Sequence, residues 1–360
     1  MNCTSCGIVL DSRATFCPNC GATVPDPFLG QNVGAWTVEK RIAIGTFGSI
    51  YRASNEAGEQ AAVKLMHREL AADTNLVERF RQEGSVMKQL DSAHIVRTFD
   101  YGEHEGLPYI VMELLSGETV VDRLRITRPL PWHQAFAIGI GVCEALEAAH
   151  AVGVVHRDLK PGNIFVATGE SVRVLDFGIA KILSNSSVGD PKELTIMGTA
   201  VGTVEYMAPE QLMGGRADAR TDIYTLGVVL YEMVVGRRPY NAAGLELLTE
   251  QLSVEPPKPS ERHPGLPAVV DDVLMRCLAA DVDDRYQNAR EMRDALDAAL
   301  EAQPKVEAEP VIEPPRPLPS SFTPDTWVVR KANAPSRWPL VVVAIGVAAI
   351  AAIIVALLYA

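Results

Sequence analysis

The stretch His156-Arg157-Asp158-Leu159-Lys160-Pro161-Gly162-Asn163, followed shortly by Asp176-Phe177-Gly178, constrains this chain more than any other. Two carboxylates, an amide, a lysine and an arginine are concentrated there. They lie between apolar runs at Val152–Val155, Ile164–Val166 and Val172–Leu175 that read as short strands or strand-like segments. Such runs would hold the polar groups on rigid backbone at the mouth of a cleft. Phosphoryl transfer asks for this inventory: a carboxylate to orient a hydroxyl, a carboxylate and an amide for a divalent cation, and a cation beside the moving phosphate.

The same stretch resembles the catalytic loop and metal-binding loop of the protein kinases, and other segments extend the resemblance in family order. Trp36–Ile44, Ser49–Ser54 and Gln60–Met66 alternate as β-strands do. The turn Ala43-Ile44-Gly45-Thr46-Phe47-Gly48-Ser49-Ile50 is similar to the kinase glycine-rich loop, with Ala43 in place of the first glycine. Gly45 and Gly48 match the positions where backbone approaches phosphate most closely. Ala62-Val63-Lys64 follows on the third strand and matches the phosphate-binding lysine. Glu83, within a helix expected from about Leu76 to Leu90, matches its ion-pair partner. Tyr109–Leu115 resembles the last strand of the small lobe and the hinge. Met112 stands at the gatekeeper position, backbone groups of Glu113 and Leu115 face adenine, and Ile42, Ile50, Ala62 and Phe165 sandwich it.

From Gly117 to about Leu300 the periodicity is mainly helical. A segment ending at Ala208-Pro209-Glu210 resembles the activation segment. Arg157, directly before Asp158, marks the subclass in which a phosphate on that segment is captured by a cationic pocket. Thr195 and Thr199 are the phosphosite candidates, whereas Ser184, Ser186 and Ser187 read as polar loop residues. Thr203 matches the threonine that hydrogen-bonds near the catalytic aspartate, Asp222 the aspartate that braces the catalytic loop, and Arg285 the arginine paired with Glu210. Cys143 and Cys277 read as small buried hydrophobes, and His94 and His150 as structural residues.

The resemblance covers residues 36 to 300 and implies an α+β, two-lobed fold, with a β-rich small lobe over 36–116 and a helical large lobe over 117–300. It implies a eukaryotic-type (Hanks-type) serine/threonine protein kinase of the bacterial kind, with ATP and Mg²⁺ (or Mn²⁺) between the lobes and protein hydroxyls as acceptors. Within it Asp158 is the base, Lys160 stabilises γ-phosphate charge, and Asn163 and Asp176 hold the magnesium. Lys160 in Asp158-Leu159-Lys160-Pro161 favours Ser/Thr over Tyr as acceptor. The alternative is a pseudokinase or membrane scaffold that only binds partners; Ala43 is the one motif position that encourages it.

The flanks carry separate signals. Cys3-x-x-Cys6-Gly7 and Cys17-x-x-Cys20-Gly21 put four of the six cysteines in the first twenty residues. Two such knuckles supply the thiolates of a tetrahedral Zn²⁺ site, and residues 1–24 resemble a small zinc ribbon, structural rather than catalytic because four cysteines leave no open position. A pair of disulfides or a redox CxxC is the competing reading, and control of the kinase by zinc or thiol oxidation a further one. Residues 25–35 read as a linker. Eight prolines interrupt 301–337, a disordered spacer by composition. Leu340–Leu358 is uncharged and almost wholly apolar. As a helix it would span roughly 28 Å, enough to cross a bilayer core. Arg330, Lys331 and Arg337 precede it, so the positive-inside rule places ribbon and kinase in the cytoplasm of a single-pass membrane protein. Ala344, Ala348, Ala352 and Ala356 form a small-residue stripe through which a homodimer could pack, although alanine-rich spans often carry such stripes without that role. A net charge of −12 argues against a general nucleic-acid partner, and no signal peptide is expected.

Overall fold

A computed structural model describes residues 2–9, 14–177, 204–242 and 244–302. Gly178 and the candidates Ser184, Ser186, Ser187, Thr195, Thr199 and Thr203 lie outside the described residues, as do residues 303–337 of the proline-rich stretch and the apolar run 340–358; Glu301, expected in that stretch, ends the last helix. Among the described residues no helix is long and apolar enough to cross a membrane.

The N-terminal cysteine segment is one short hairpin used twice. Asn2 bridges Val9 and Phe16 bridges Thr23. In each copy the first cysteine accepts from the glycine N–H four residues on, Gly7 to Cys3 and Gly21 to Cys17, both at 2.9 Å. Both glycines have positive φ, 74° and 70°, which an L side chain adopts only with strain.

A six-stranded antiparallel sheet follows, in the order β1-β2-β3-β4-β6-β5. Its strands are β1 (Asn32–Val33), β2 (Trp36–Ile44), β3 (Gly48–Ser54), β4 (Gln60–Met66), β5 (Thr98–His104) and β6 (Leu107–Glu113). Strand β4 is buried from Ala61 to Met66 without alternation, because both faces of the sheet are covered. Ala61, Val63 and Leu65 pack with Tyr51, Tyr109 and Val111 under Phe28, Val33 and Trp36. Ala62 and Met66 join Ile110, Met112 and Phe80 on the other side. The stretch expected as a linker is therefore partly built into the sheet. Asp26 accepts from the N–H of Phe28 and the hydroxyl of Tyr51, and lies 3.2 Å from Arg41 Nε. Strand β5 carries no period-2 apolar pattern, since Phe99, Asp100 and Tyr101 all face solvent at the sheet edge, and sequence reasoning passed over it.

Helix α1 (Thr74–Met87) starts two residues before the expected position, because the Asp73 carboxylate caps the N–H groups of Asn75 and Leu76. After β6, a three-stranded sheet of β7 (Gly117–Thr119), β8 (Ile164–Ala167) and β9 (Val172–Val174) underlies the cleft. The run Val152–Val155 is not a strand: α3 (Trp132–Ala151) ends there, Gly153 turns the chain at φ 77°, and Val154 N–H returns to Ala149 O.

The helical part, with α2 (Val120–Ile126) and α3, continues with α4 (Pro209–Leu212), α5 (Ala219–Val235), α6 (Gly244–Ser253), α7 (Pro259–Arg262), α8 (Ala268–Cys277) and α9 (Ala289–Glu301). Helix α5 is its axis. Every residue from Thr221 to Val234 is buried, so α5 is apolar nearly all round, as a central helix must be. Cys143 and Cys277 are buried in the same core, as expected of small hydrophobes; burial holds the Cys277 thiol up at about 12.

A salt bridge ties α4 to the turn before α9, and hydrogen bonds extend it to the start of α5. Arg285, fully buried, donates to both oxygens of Glu210 at 2.9 and 3.1 Å, and Thr221 Oγ1 donates to the same carboxylate. The sequence match had paired these two residues. Glu210→Ala would leave the buried guanidinium without its counter-charge. Carbonyls of Ala279, Ala280 and Arg220 still accept from it, so the expected loss is about 3 kcal/mol, the lower end for breaking a buried pair. Urea denaturation of the variant beside wild type measures it, and a loss under about 1 kcal/mol would show that the pair carries little.

Candidate active site

The catalytic loop runs from the end of α3 to a 3₁₀ turn at Pro161–Asn163, and it is hung from α5. The Asp222 carboxylate is 0% exposed. Its Oδ2 accepts from the N–H of His156 and from His150 Nε2, both at 2.8 Å, and its Oδ1 accepts from the N–H of Arg157 at 2.9 Å. Asp222 is thus the brace that the sequence match implied, and His150, read there as structural, is part of it. Arg157 takes a positive φ of 64°, a strained value that its surroundings hold in place. Gln211 Nε2 donates to the Arg157 carbonyl from the other side, while its Oε1 accepts from the Ala208 N–H. The sequence pattern did not single out Gln211, because a hydrogen bond to a backbone carbonyl demands no particular spacing.

His156 links this brace to the second carboxylate. Its Nε2 donates to Leu175 O at 3.0 Å, and its Nδ1 accepts from the N–H of Asp158 at 3.3 Å. Those partners define the neutral, Nε2-protonated imidazole. Burial, which pushes the imidazole pKa down against the pull of Asp222 and Asp158, favours the same form. The His156 ring lies 4.6 Å from that of the fully buried Phe177.

Asp158, Lys160 and Asn163 meet as expected. Lys160 Nζ is 2.8 Å from Asp158 Oδ2, and Asn163 Nδ2 donates to the Asp158 carbonyl at 2.8 Å. With its amide N–H used in this way, Asn163 has its side-chain oxygen to offer a metal. Leu175 N–H donates to Asn163 O, which ties the β8 side of the cleft to the segment carrying Asp176.

On the sheet side, Lys64 is 7% exposed and Glu83 8%. Lys64 Nζ sits 2.8 Å from Glu83 Oε1 and 2.9 Å from Asp176 Oδ1. Burial works against a charged ammonium there, but the Asp176 and Glu83 carboxylates outweigh it and hold Lys64 protonated. Asp176 has a φ of 39°, the turn that brings its carboxylate to Lys64. The expected pair is present, extended by a third member.

The glycine-rich loop is the β2–β3 hairpin. Its turn is closed by Gly45 N–H to Gly48 O at 2.9 Å. A Cβ at Gly48 would stand 2.4 Å from Leu65 O, so this glycine is demanded by packing against β4 as well as by any ligand. Ala43 lies in the ladder opposite Ile50, with its side chain exposed and no positive φ; nothing in the local backbone requires glycine there. Ile42, Ile44, Thr46 and Phe47 are exposed. Ala62 and Met112 are buried side by side on neighbouring strands, with Ile50, Leu115 and Phe165 half-buried. Glu113 already donates its N–H to Arg97 O at 2.9 Å, so its carbonyl is the group it can offer an adenine edge.

The N-terminal cysteines form a separate cluster. The Sγ atoms of Cys3, Cys6, Cys17 and Cys20 all lie within 4.8 Å of one another, with Cys3–Cys20 and Cys6–Cys17 at 3.6 Å. Edges of a tetrahedral four-thiolate site measure about 3.8 Å for metal–sulfur bonds of about 2.3 Å. Hydrogen bonds from Asn19 and from the N–H of Ile8 bring the Cys6 thiol down to about 6. The Ala22 N–H lowers Cys20 too, but the neighbouring sulfurs overcome it and raise that thiol to about 12. Four cysteine sulfurs at this spacing match the donor set of a tetrahedral metal site.

A model of the protein kinase domain matches residues 36–296. The serine/threonine-protein kinase Pkn1 of Myxococcus xanthus is 38% identical over 300 residues, 81% of this chain and 42% of its own. Serine/threonine-protein kinase PknB of Mycobacterium leprae is 38% identical over 248 residues, 68% of this chain and 39% of its own. The chain thus spans about two fifths of the length of these relatives. The crystal structure of the PknI kinase domain from Mycobacterium tuberculosis superposes with a TM-score of 0.60 at 28% identity, over 76% of this chain and 98% of that one. With a lysine, a glutamate and two aspartates gathered in one cleft and a domain match over most of its length, the chain belongs to the protein kinase family, among its bacterial Hanks-type members.

Proposed function

We propose that this protein is an ATP-dependent serine/threonine protein kinase, held at a membrane and carrying a structural zinc ribbon. The observation that carries the catalytic part is the joined set Glu83–Lys64–Asp176 facing Asp158, Lys160 and Asn163. Lys64, kept charged and aimed by two carboxylates, grips the α/β-phosphates. Asp158 orients the acceptor hydroxyl and takes its proton, and Lys160 offsets the charge that develops on the γ-phosphoryl group. Asp176 and the Asn163 amide oxygen are the oxygen ligands that would hold Mg²⁺ or Mn²⁺. Bound there, the ion neutralises charge on the β- and γ-phosphates. The chain's own contribution is positioning and electrostatics in a partly dry cleft. Lys160 and the names of the relatives favour Ser/Thr acceptors. The pseudokinase alternative loses ground because no residue of this set is missing.

The ribbon rests on the four-sulfur cluster, with Zn²⁺ as the tetrahedral thiolate-seeking ion. The membrane anchor rests on the apolar run 340–358 and the cations Arg330, Lys331 and Arg337 before it, which favour a cytoplasmic kinase domain. Arg157 supplies a cation for a phosphate on Thr195 or Thr199. The Arg157 Nε has no hydrogen-bond partner among the described residues.

Asp158→Asn and Lys64→Met should each lower phosphoryl transfer by about a hundred- to ten-thousand-fold, as loss of a positioned base or phosphate clamp does. The midpoint of thermal unfolding should stay within a few degrees in Asp158→Asn. Radiolabelled ATP with Mg²⁺ reads the first effect; undiminished autophosphorylation of Asp158→Asn would refute the assignment. Phosphosite mapping of wild type beside that variant should place phosphate on Ser/Thr only. Separately, protein purified anaerobically should contain one equivalent of zinc, and the Cys3→Ser/Cys17→Ser variant none. Metal-free wild type would remove the ribbon.

A further inference from the structure

His67 follows directly after β4, belongs to none of the family motifs, and is 8% exposed. It holds the glycine-rich hairpin at two points. Its backbone N–H donates to Phe47 O at 3.0 Å, and its ring Nε2 lies 3.0 Å from Gly45 O. A carbonyl only accepts, so Nε2 carries the proton. The His67 carbonyl accepts from Leu70 N–H at 3.0 Å, which ties the residue into the turn before α1. One residue therefore grips the carbonyls on both sides of Thr46.

The grip has a directional consequence. A trans peptide unit is planar, with its C=O and N–H pointing opposite ways. Turning the Gly45 carbonyl onto His67 turns the Thr46 N–H away from His67. Neither Thr46 nor Phe47 donates its N–H to a backbone carbonyl among the described residues. Exposed hairpin tips open at little free-energy cost, and this tip presents exposed Ile44, Thr46 and Phe47. Apart from the Gly45–Gly48 turn, the His67 contacts are the hydrogen bonds that the tip carbonyls accept among the described residues.

We propose that His67 is a positioning residue for nucleotide phosphate: by holding Gly45 O it aims the Thr46 N–H at the phosphates of ATP, and by holding Phe47 O it anchors the far side of the loop tip. The proposal rests on the kinase reading and deepens it. His67 touches no substrate and acts through the loop.

The test uses the full chain in detergent, as wild type, His67→Leu and His67→Gln. The glutamine amide nitrogen stands the same number of bonds from Cα as Nε2 and can donate to Gly45 O. Calorimetric titration with Mg²⁺ and a non-hydrolysable ATP analogue should show binding weakened about fivefold in His67→Leu, the worth of one ordinary hydrogen bond, and within twofold of wild type in His67→Gln. Adenosine, which lacks phosphates, should bind all three alike. In steady-state assays the KM for ATP should rise about fivefold in His67→Leu, with kcat within twofold. Equal analogue affinity in His67→Leu and wild type would overturn the proposal. So would a parallel loss of adenosine binding, or a glutamine variant that behaves like leucine. Wild type that binds adenosine and analogue but transfers no phosphate would overturn the kinase reading alone, while wild type that binds neither would overturn both.

Discussion

The structure depends on one buried carboxylate. Asp222 sits fully buried in a helix packed mainly with apolar side chains, where an unpaired charge would cost several kcal/mol. Three N–H donors compensate it, and two of them are backbone groups of His156 and Arg157. The carboxylate in turn holds Arg157 in a conformation that it would not choose in a free loop. Arg157 then turns the chain so that Asp158 reaches Lys160 and Asn163. Asp158 is thus one short loop away from the rigid core, and its position follows from helix packing.

The opposite wall is organised by a buried cation. Lys64 projects from a strand covered on both faces, so it cannot swing into solvent, and Glu83 and Asp176 hold its charge. Each carboxylate comes from a different element, α1 and the segment after β9. Their convergence on one ammonium makes the cleft an electrostatic joint: moving α1 or Asp176 away would leave a buried charge short of a partner. His156, neutral and hydrogen-bonded at both nitrogens, connects this joint to the Asp222 brace through Leu175 and Asp158.

Much of the site was legible in the chain. The order of glycine-rich turn, Lys64, Glu83, Asp158, Asn163 and Asp176 carries the cleft, because each of those positions needs a particular functional group at a particular point of the fold. The paired Cys-x-x-Cys knuckles located four sulfurs that the hairpins bring together. Residues 25–35 read as a linker because their Pro, Asp and Gly content signals irregular chain; only the outer face of the sheet explains why Phe28 and Val33 are held. Val152–Val155 looked like a strand because short apolar runs are ambiguous, and the glycine that ends α3 decided it. Strand β5 escaped notice because an exposed edge strand has no apolar alternation to show. Gln211 and His67 left no trace either, since a side chain that bonds to a backbone carbonyl needs no matching residue at its partner position.

By itself, the sequence determined the chemical inventory and its order: which groups could grip phosphate, take a proton, ligate an ion or bind thiolate-seeking metal. These are properties of side chains and local spacing, and they survive without knowledge of the fold. The tertiary structure alone decided which of them meet. The Lys64–Asp176 contact, the Asp222 brace, the linker residues packed on the sheet and the hold of His67 on the glycine-rich loop all join segments far apart in the chain. Hydrogen bonds and burial act over a few ångströms of space and are indifferent to separation along the sequence.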